Sequence, residues 1–345
     1  MNNTNIRKPI FSALWCAGLA LLLTLSSSCQ DFLTVEPDDE LSRSETFSTL
    51  RGTNAAAIGL YTLLGESGLY RDLLLFYPEL MGNAVPFLSP ESDPDNQGAV
   101  SNTLIESFDF RNTPDYEDNN LANVYRTAYR VIYQANDIIE NLPNLREGTP
   151  EVRNRIMAEA LTVRALLHFE VLRLFAHAYH YSPEQRHPGI VLWRRVPGVE
   201  EQPARASVEE VYRALREDLE EALQLFGVGE NLARSAEPVW INRTVILGLL
   251  VRVSLYARDW AAAIAFADLA LTAAPNEVLS LAENYAQEWS DNRLSESIWQ
   301  LDLSNLQAPT AIGPAAYLGA GNQEPRLRVS EDCWLNFRQT ICEYL

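Results

Sequence analysis

Two long stretches of helical periodicity constrain the fold of this chain more than any other feature of its sequence. Residues 121–142 carry apolar side chains every three or four positions, the pattern of an amphipathic helix with one buried face. Residues 151–180 repeat this pattern after a short link bounded by Pro143 and Pro150. Because the link is short, the two helices are expected to pack antiparallel.

Further helices are predicted on either side of this pair. The apolar pattern that follows Ser44 indicates a helix over residues 44–64. Ser207 stands three positions before Glu210, the spacing of a capping box, in which each side chain bonds the backbone amide of the other residue. A helix is therefore expected from Ser207 to about residue 225.

A pair of shorter helices is predicted nearer the C-terminal end. Residues 242–256 and Trp260–Ala273 lie within about 34 residues, carry small side chains at close-packed places and precede Pro275, which loosely matches the tetratricopeptide pattern. The expected fold class is therefore mainly α. It consists of tetratricopeptide-like helical repeats, stacked as an α-α superhelix, with long irregular loops.

Two proline-containing stretches interrupt the helices, at residues 82–118 and 181–206. Long loops in compact domains often carry functional residues, so both are places to look for a binding site. Residues 104–110, inside the first loop, and residues 297–301 are the two segments whose pattern favours a strand.

The N-terminus has the features of a lipoprotein signal. Arg7 and Lys8 precede an apolar run at residues 11–25, which is shorter than the roughly 20 residues of a membrane-spanning helix. Three serines and then Cys29 follow. We expect cleavage before Cys29, a diacylglycerol group on its thiol and an acyl chain, such as palmitate, on the new N-terminus, which together anchor firmly. The alternative is ordinary secretion with an incidental cysteine.

The charge of the chain disfavours nucleic-acid partners. It has 27 basic and 46 acidic residues and a net charge of −19, and removal of residues 1–28 takes away two basic residues and leaves −21. A surface of this sign repels phosphate backbones and anionic lipid. We therefore expect contact with the membrane only through the lipid anchor.

The cysteines and histidines predict neither a metal site nor a cofactor. Cys333 and Cys342 could form a disulfide outside the cytoplasm, but their spacing does not show that the sulfurs meet. His177 and His180 stand three apart and could share a metal, yet no third ligand accompanies them at a suggestive spacing. Packing or helix-end roles are favoured for these histidines.

The acidic residues do not predict an enzyme. Asp218, Glu220 and Glu221 are expected on a solvent-facing side of their helix, beside Arg213 and Arg216, where helix-surface pairing explains them. A glycosidase needs two carboxyl groups that face each other across a bound sugar. No nucleophile elbow, phosphate loop or zinc-protease motif is present in the sequence, so we expect no catalytic activity.

Aromatic and amide side chains in the loops are the candidates for ligand binding. Sugar recognition uses aromatic faces against the apolar faces of pyranose rings, with amides and carboxylates on the hydroxyl groups. For each aromatic residue the alternative is that it fills the core beneath its loop. The candidates are Asn83, Phe87, Asp95, Asn96, Tyr116, Trp193, Tyr317 and Trp334.

An ordered series of short motifs follows Cys29 along most of the chain. The series is residues 29–33 (CQDFL) with Glu36 and Pro37; 59–61 (GLY); 79–81 (ELM); Tyr125, Tyr129, Ile132 and Asn136; Glu159, Ala160, Arg164, Ala165, Phe169, Leu172 and 173–175 (RLF); 205–207 (RAS), Val211, Tyr212, Asp218 and Leu219; 240–263; and 296–298 (ESI). In this order the motifs resemble the SusD/RagB family of nutrient-binding outer-membrane lipoproteins.

The resemblance implies a helical fold with tetratricopeptide units and a lipid-anchored position on the extracellular face of the outer membrane. It also implies a SusC-like TonB-dependent transporter as the partner, to which a bound polysaccharide or oligosaccharide is delivered without chemistry. The alternative is a tetratricopeptide-like scaffold, or transporter cap, that has no ligand site of its own.

The resemblance also divides the chain into segments. We expect a signal peptide at residues 1–28, an anchor and tether at 29–43, and a SusD-like helical domain with tetratricopeptide-like helix pairs at 44–304. Residues 305–345 are expected to begin a loop-rich C-terminal region that is shorter than in the family. Gly82 and Asn83 stand where the family often has an acidic residue, which weakens any binding role for that place.

Overall fold

The structure is a computed structural model. It describes residues 43–82, 120–198, 200–227, 234, 238–273, 287–288 and 295–302. The chain divides into two compact units, Met1–Thr46 and Phe47–Leu345. Of the first unit, residues 43–46 are described and are helical.

The described residues are mainly helical, as the periodicity predicts. The α-helices are α1 (Arg43–Ser48), α2 (Leu50–Leu64), α3 (Leu73–Met81), α4 (Asn120–Asn141), α5 (Pro150–Phe175), α6 (Val208–Phe226), α7 (Arg243–Tyr256) and α8 (Trp260–Ala273). Single 3-10 turns lie at Leu142–Asn144, Tyr179–Tyr181 and Pro183–Gln185. The mainly α fold class is therefore confirmed, whereas the tetratricopeptide-like repeat stays a prediction.

The helix predicted over residues 44–64 is in fact two helices. Thr49 is extended, with φ −123° and ψ 149°, and its hydroxyl accepts a hydrogen bond from the amide of Gly52. Threonine is a preferred N-cap because its side chain satisfies an amide that the first turn leaves unpaired. The apolar pattern runs through this break, which explains why periodicity alone did not reveal it.

The link between α4 and α5 forms where the sequence predicts it. Helix α4 ends at Asn141 and a 3-10 turn that contains Pro143 follows. Thr149 caps α5 by accepting from the amide of Val152, and Pro150 occupies the first turn, where its missing N–H costs nothing. Helices α4 and α5 pack against each other.

Helix α5 is the central helix of the described core. It packs against α2, α4, α6 and α7. Every residue from Ala158 to Leu172 is buried, so the helix has no solvent-facing side over these four turns. A single buried stripe is therefore the wrong expectation for this segment. The helix also ends at Phe175 rather than near residue 180, because Ala176 is extended with φ −132° and ψ 162°.

The remaining helices follow their sequence signals closely. The predicted capping box is formed: the Ser207 hydroxyl accepts from the Glu210 amide, and the Glu210 carboxylate accepts from the Ser207 amide at 2.8 Å. Asn242 caps α7 through the amide of Val245. Helices α7 and α8 pack together as the predicted pair.

Two local expectations are corrected by the structure. Residues 297–301 form no strand among the described residues: the Gln300 amide donates to the Pro238 carbonyl at 2.8 Å, and no ladder accompanies that bond. Helix α3 is an addition to the predicted helices. Pro78 lies inside it and removes one backbone donor, and a proline at such a position argues against a helix in the sequence. The strand predicted at residues 104–110 lies outside the described residues. No helix in the described part of the chain is long and apolar enough to cross a membrane.

Candidate functional site

Charged and polar side chains lie inside the core along helix α5. Glu159, Arg164, His168 and Glu170 are all buried, although such residues are normally exposed. A buried charge needs a partner and further hydrogen bonds, since the loss of its hydration shell is otherwise expensive. The partners of these side chains show which other segments α5 holds in place.

Arg164 lies at the centre of the largest of these networks. Its Nε and Nη2 donate to the two carboxylate oxygens of Asp218 at 2.8 and 2.7 Å, and the two side chains are 4% and 2% exposed. Its Nη1 donates to Oδ1 of Asn136 at 2.8 Å and to the carbonyl of Arg194 at 3.0 Å. We call Asn136, Arg164, Arg194 and Asp218 the Arg164 network.

The Arg164 network contacts a segment without regular secondary structure, residues 190–196, which we call the strap. The Nδ2 of Asn136 donates to the strap carbonyls of residues 193 and 195, both at 3.0 Å. Arg164 donates to the carbonyl of residue 194, which lies between them in the chain. The hydroxyl of Tyr129 donates to the Val191 carbonyl at 2.5 Å. Side chains of α4 and α5 therefore satisfy the strap's backbone in place of a neighbouring strand.

The position of Asp218 corrects an expectation drawn from the sequence. Asp218 was expected on a solvent face with Glu220 and Glu221, but it is buried and accepts from Arg164 and from Nη2 of Arg194, at 2.7 Å in the latter contact. Glu220 and Glu221 are exposed, as expected. Asp218 is therefore a structural counter-ion that pairs with two arginines.

His168 is a neutral residue of the same core. Burial lowers its pKa to about 3 against the attraction of Asp218. Its Nε2 finds no hydrogen-bond partner among the described residues, and its ring meets the ring of Tyr129 edge to face. The histidine therefore packs as an uncharged ring.

Trp193 is the one predicted ligand residue that the structure describes. Its indole is half-buried against the core and meets the Tyr129 ring edge to face at 5.9 Å between centroids. Its Nε1 is buried without a hydrogen-bond partner in the described part of the chain. This placement favours the packing role. The other residues singled out in the sequence lie outside the described ranges: Cys29, Asn83, Phe87, Asp95, Asn96, Tyr116, Tyr317, Cys333, Trp334 and Cys342.

Glu159 forms a second network that ties α2 and the segment before α7 to helix α5. Arg234 donates from Nε and Nη2 to the two oxygens of Glu159 at 2.9 and 2.6 Å, and from Nη1 to Asn54 at 2.5 Å. Its guanidinium lies over the ring of Trp240, which in turn meets Tyr61 edge to face. Burial raises the pKa of Glu159, and the arginine opposes that rise. Tyr61 and Glu159, two residues of the ordered motifs, are therefore linked through Trp240 and Arg234.

Glu170 carries a third network, at the C-terminal end of α5. It accepts from Tyr70 at 3.2 Å, from Arg173 at 2.5 Å and from Arg252 at 2.9 Å. Both guanidinium groups also lie over the ring of Phe169. The three networks together account for the buried charge of helix α5 and join it to α7 and to the turn before α3.

An exposed group of rings follows helix α5. The rings of His177 and Tyr181 are stacked, with centroids 3.9 Å apart and planes at 8°. His187 stands beside them, and His180 donates from Nε2 to the Ala257 carbonyl at 2.9 Å. No group of three metal-ligating side chains occurs in the described residues, and the predicted metal alternative for His177 and His180 gains no support.

Sequence patterns predicted only part of these arrangements. The motifs that contain Asn136, Arg164 and Asp218 were recognised as an ordered series, but nothing in their spacing indicates that the three side chains touch. The stack of His177 on Tyr181 was missed altogether. Its one signal is an aromatic residue four positions after a histidine, directly behind a helix, which is too common a pattern to predict a stack.

A family model matches residues 81–233 of the chain. It is a SusD-like family model, described as "Starch-binding associating with outer membrane". Among curated proteins, the chain is similar to the SusD-like protein P25 of Formosa agariphila, with 24% identity over 283 residues. The alignment covers 80% of this chain and 49% of the relative, so the chain spans about half the length of that protein.

Solved structures share the fold. A SusD superfamily protein from Bacteroides thetaiotaomicron has a TM-score of 0.70 and 22% identity, covering 84% of this chain and 62% of its own. A SusD-like carbohydrate binding protein from Bacteroides vulgatus has a TM-score of 0.59 and 25% identity, covering 73% and 50%. The first of these likenesses is one of fold alone.

Proposed function

We propose that this chain is a member of the SusD/RagB family, and that it binds a glycan or another oligomeric nutrient at the cell surface and delivers it to a TonB-dependent outer-membrane transporter. The proposal has three parts: capture of the ligand, transfer without chemistry to a SusC-like partner, and attachment to the outer membrane through lipid on Cys29.

The family match over residues 81–233 is the observation that carries the proposal. The family is described as starch-binding and associated with the outer membrane. The matched residues include α4, α5, the strap and α6, and with them the whole Arg164 network. The residues that match the family model therefore include all four members of the Arg164 network.

The buried framework suits a binding protein that captures without reacting. Binding residues are most effective on loops that a rigid scaffold positions. The three networks of α5 use their carboxylates on arginines, so Glu159, Glu170 and Asp218 are held in ion pairs. We propose that the other loop candidates supply the ligand contacts: Asn83, Phe87, Asp95, Asn96, Tyr116, Tyr317 and Trp334.

Binding and catalysis are tested on the same material. The full chain, solubilised in detergent, is run through native gels that contain amylopectin, xylan or laminarin, and parallel samples are assayed for reducing ends. We expect retarded migration in at least one gel and no increase in reducing ends. Release of reducing ends would contradict the non-catalytic part, and free migration in all three gels would contradict glycan binding.

Delivery is tested through the partner. We expect the tagged chain, expressed in its own host, to co-purify with a TonB-dependent barrel. Co-purification without retardation in any polysaccharide gel would favour the alternative, a scaffold or transporter cap that has no ligand site of its own. A chain that binds polysaccharide but captures no barrel would contradict the delivery step and leave the capture step intact.

A further inference from the structure

We propose that the stacked rings of His177 and Tyr181, which we call the aromatic platform, bind the apolar face of a pyranose ring of a neutral glycan. The inference rests on the proposed function, because it names a binding surface and a ligand class for it. None of the ligand candidates predicted from the sequence belongs to this platform.

The platform is formed by rings that remain in contact with solvent. His177 is exposed and Tyr181 is 63% exposed, although the two rings stack face to face at 3.9 Å. A ring that serves the core is instead buried, as Phe169 is in the helix just before. Because parallel rings stacked at 3.9 Å cover one face of each other, the exposed Tyr181 ring offers its outer apolar face, with the hydroxyl at its edge, to the C–H face of a pyranose.

The loop that carries the platform is ordered by its own hydrogen bonds. His187 bonds Ser182 through Nδ1 at 2.8 Å and reaches the carbonyl of His177 through Nε2 at 3.4 Å. His180 bonds the Ala257 carbonyl at the end of α7. Because these hydrogen bonds within the protein order the loop, a glycan that binds the platform loses little free energy to ordering it.

Both ends of the loop are tied to the framework. Arg205 donates to the carbonyl of Phe175, where α5 ends, and to the carbonyl of Gly189, both at 2.6 Å. The amide of Gly189 donates to the Ala206 carbonyl at 2.7 Å, and a Cβ at this glycine would lie 2.9 Å from that oxygen. Only glycine fits this close approach of the two backbone segments, which brings the two ends of the loop together.

The loop also contains strained backbone. Glu184 and Gln185 have φ of 59° and 54°, in the left-handed region that non-glycine residues seldom occupy. Strain of this kind persists where the surroundings enforce it, and it is concentrated at binding sites. The turn places Glu184 and Arg186, which pair at 2.8 Å, on the surface beside Tyr181 in the chain. Their exposed polar atoms are suited to the hydroxyl groups of a sugar.

The charge of the protein selects among glycans. With a net charge of −19, the chain repels polyanionic polysaccharides over long range. Stacking on an aromatic ring does not require charge on the ligand. A neutral polysaccharide is therefore the ligand class that the platform and the charge together favour.

The test compares affinities in native gels that contain graded amounts of amylopectin, xylan or laminarin, with the wild-type full chain and three variants. Tyr181→Ala removes the platform's larger ring, Tyr181→Phe keeps the ring, and Tyr133→Ala removes a tyrosine of α4 that is 40% exposed and outside the platform. We expect about a tenfold loss of affinity for Tyr181→Ala, as for one lost stacking contact. The other two variants should bind like wild type.

Each outcome decides between the platform and the broader proposal. If wild type binds and Tyr181→Ala binds equally well, the platform is wrong and glycan binding stands. If wild type binds none of the three polysaccharides, the glycan proposal fails and the platform fails with it. If Tyr181→Ala keeps its glycan affinity but loses co-purification with the barrel, the exposed rings are a protein contact. Far-ultraviolet circular dichroism confirms that each variant is folded.

Discussion

At the scale of single residues, buried charge on helix α5 is balanced atom by atom. Arg164 uses Nε and both Nη atoms, and Asp218 accepts from Arg164 and from Arg194. Such a network is neutral or mildly favourable as a whole, because the attraction offsets the loss of hydration. Removal of a single member is a different matter, since it leaves a charge buried and unpaired.

The Asp218→Asn variant tests this balance. It keeps the shape of the side chain but leaves Arg164 in the core without a counter-ion, so we expect a loss of about 3–5 kcal/mol in the free energy of unfolding. Urea denaturation followed by circular dichroism measures the loss. Glu209→Gln is the control, because its ion pair with Arg213 is exposed and should contribute under about 0.5 kcal/mol. Equal midpoints for the two variants would contradict the network's importance.

His168 makes stability depend on pH in a defined window. Its pKa is about 3 in the folded protein and about 6.5 in the unfolded chain. Between these values the unfolded chain binds a proton that the folded protein does not, so this residue lowers stability as pH falls below about 6.5, and the loss levels off near pH 3.

The His168→Leu variant should be less sensitive to acid than wild type. Between pH 7 and pH 4.5 we expect wild type to lose about 2–3 kcal/mol more in the free energy of unfolding than the variant, from about 1.4 kcal/mol per pH unit. Urea titrations at the two pH values measure the difference, and comparing the slopes cancels the contribution of other groups. His177→Leu, at an exposed ring, is the control. A variant as acid-sensitive as wild type would show that His168 is not the group responsible.

At the scale of elements, the strap is a backbone segment whose hydrogen bonds depend on side chains. Its carbonyls are satisfied by Tyr129, Asn136 and Arg164, which come from α4 and α5. Its amide at residue 196 donates to Glu140 at 2.7 Å. The strap thus joins the loop after α5 to the start of α6 through contacts that no repeating backbone pattern provides.

The Asn136→Leu variant should free the strap while leaving the helices formed. Leucine removes both donors to the carbonyls of residues 193 and 195 and also the acceptor for Arg164. We expect faster amide hydrogen exchange in peptides that cover residues 189–206, with α4 itself still protected. Gln134→Leu is the control, because this side chain bonds Ala56 of α2 instead. Unchanged exchange in the strap would show that its order has another source.

At the scale of the whole molecule, we propose that a lipid on Cys29 holds the chain at the membrane. Replacing Cys29 by alanine removes the thiol that would carry the lipid, and we expect the variant to leave the membrane fraction and appear in the soluble fraction. Fractionation followed by immunoblotting measures this. Cys16→Ala, inside the predicted signal region, is the matched control and should stay with the membranes. A Cys29→Ala chain that sediments with the membranes would rule out anchoring through this residue.

The sequence by itself determined the features that depend on neighbours within one or two turns. These are the α4 and α5 helices with their proline-bounded link, the capping box of Ser207 and Glu210, and the α7–α8 pair. Helix periods and caps arise from contacts three or four residues apart, so a linear pattern contains them. The ordered motifs were equally visible, and they carry the resemblance to the SusD/RagB family.

Tertiary structure alone decided which distant side chains meet. Arg164 and Asp218 are 54 residues apart, and Glu159 and Arg234 are 75 apart. Only packing shows that Asp218 faces inward, that the Trp193 indole lies against the core, and that His177 stacks on an exposed Tyr181. The physical reason is that burial and pairing depend on the three-dimensional arrangement of helices, which a one-dimensional period does not contain.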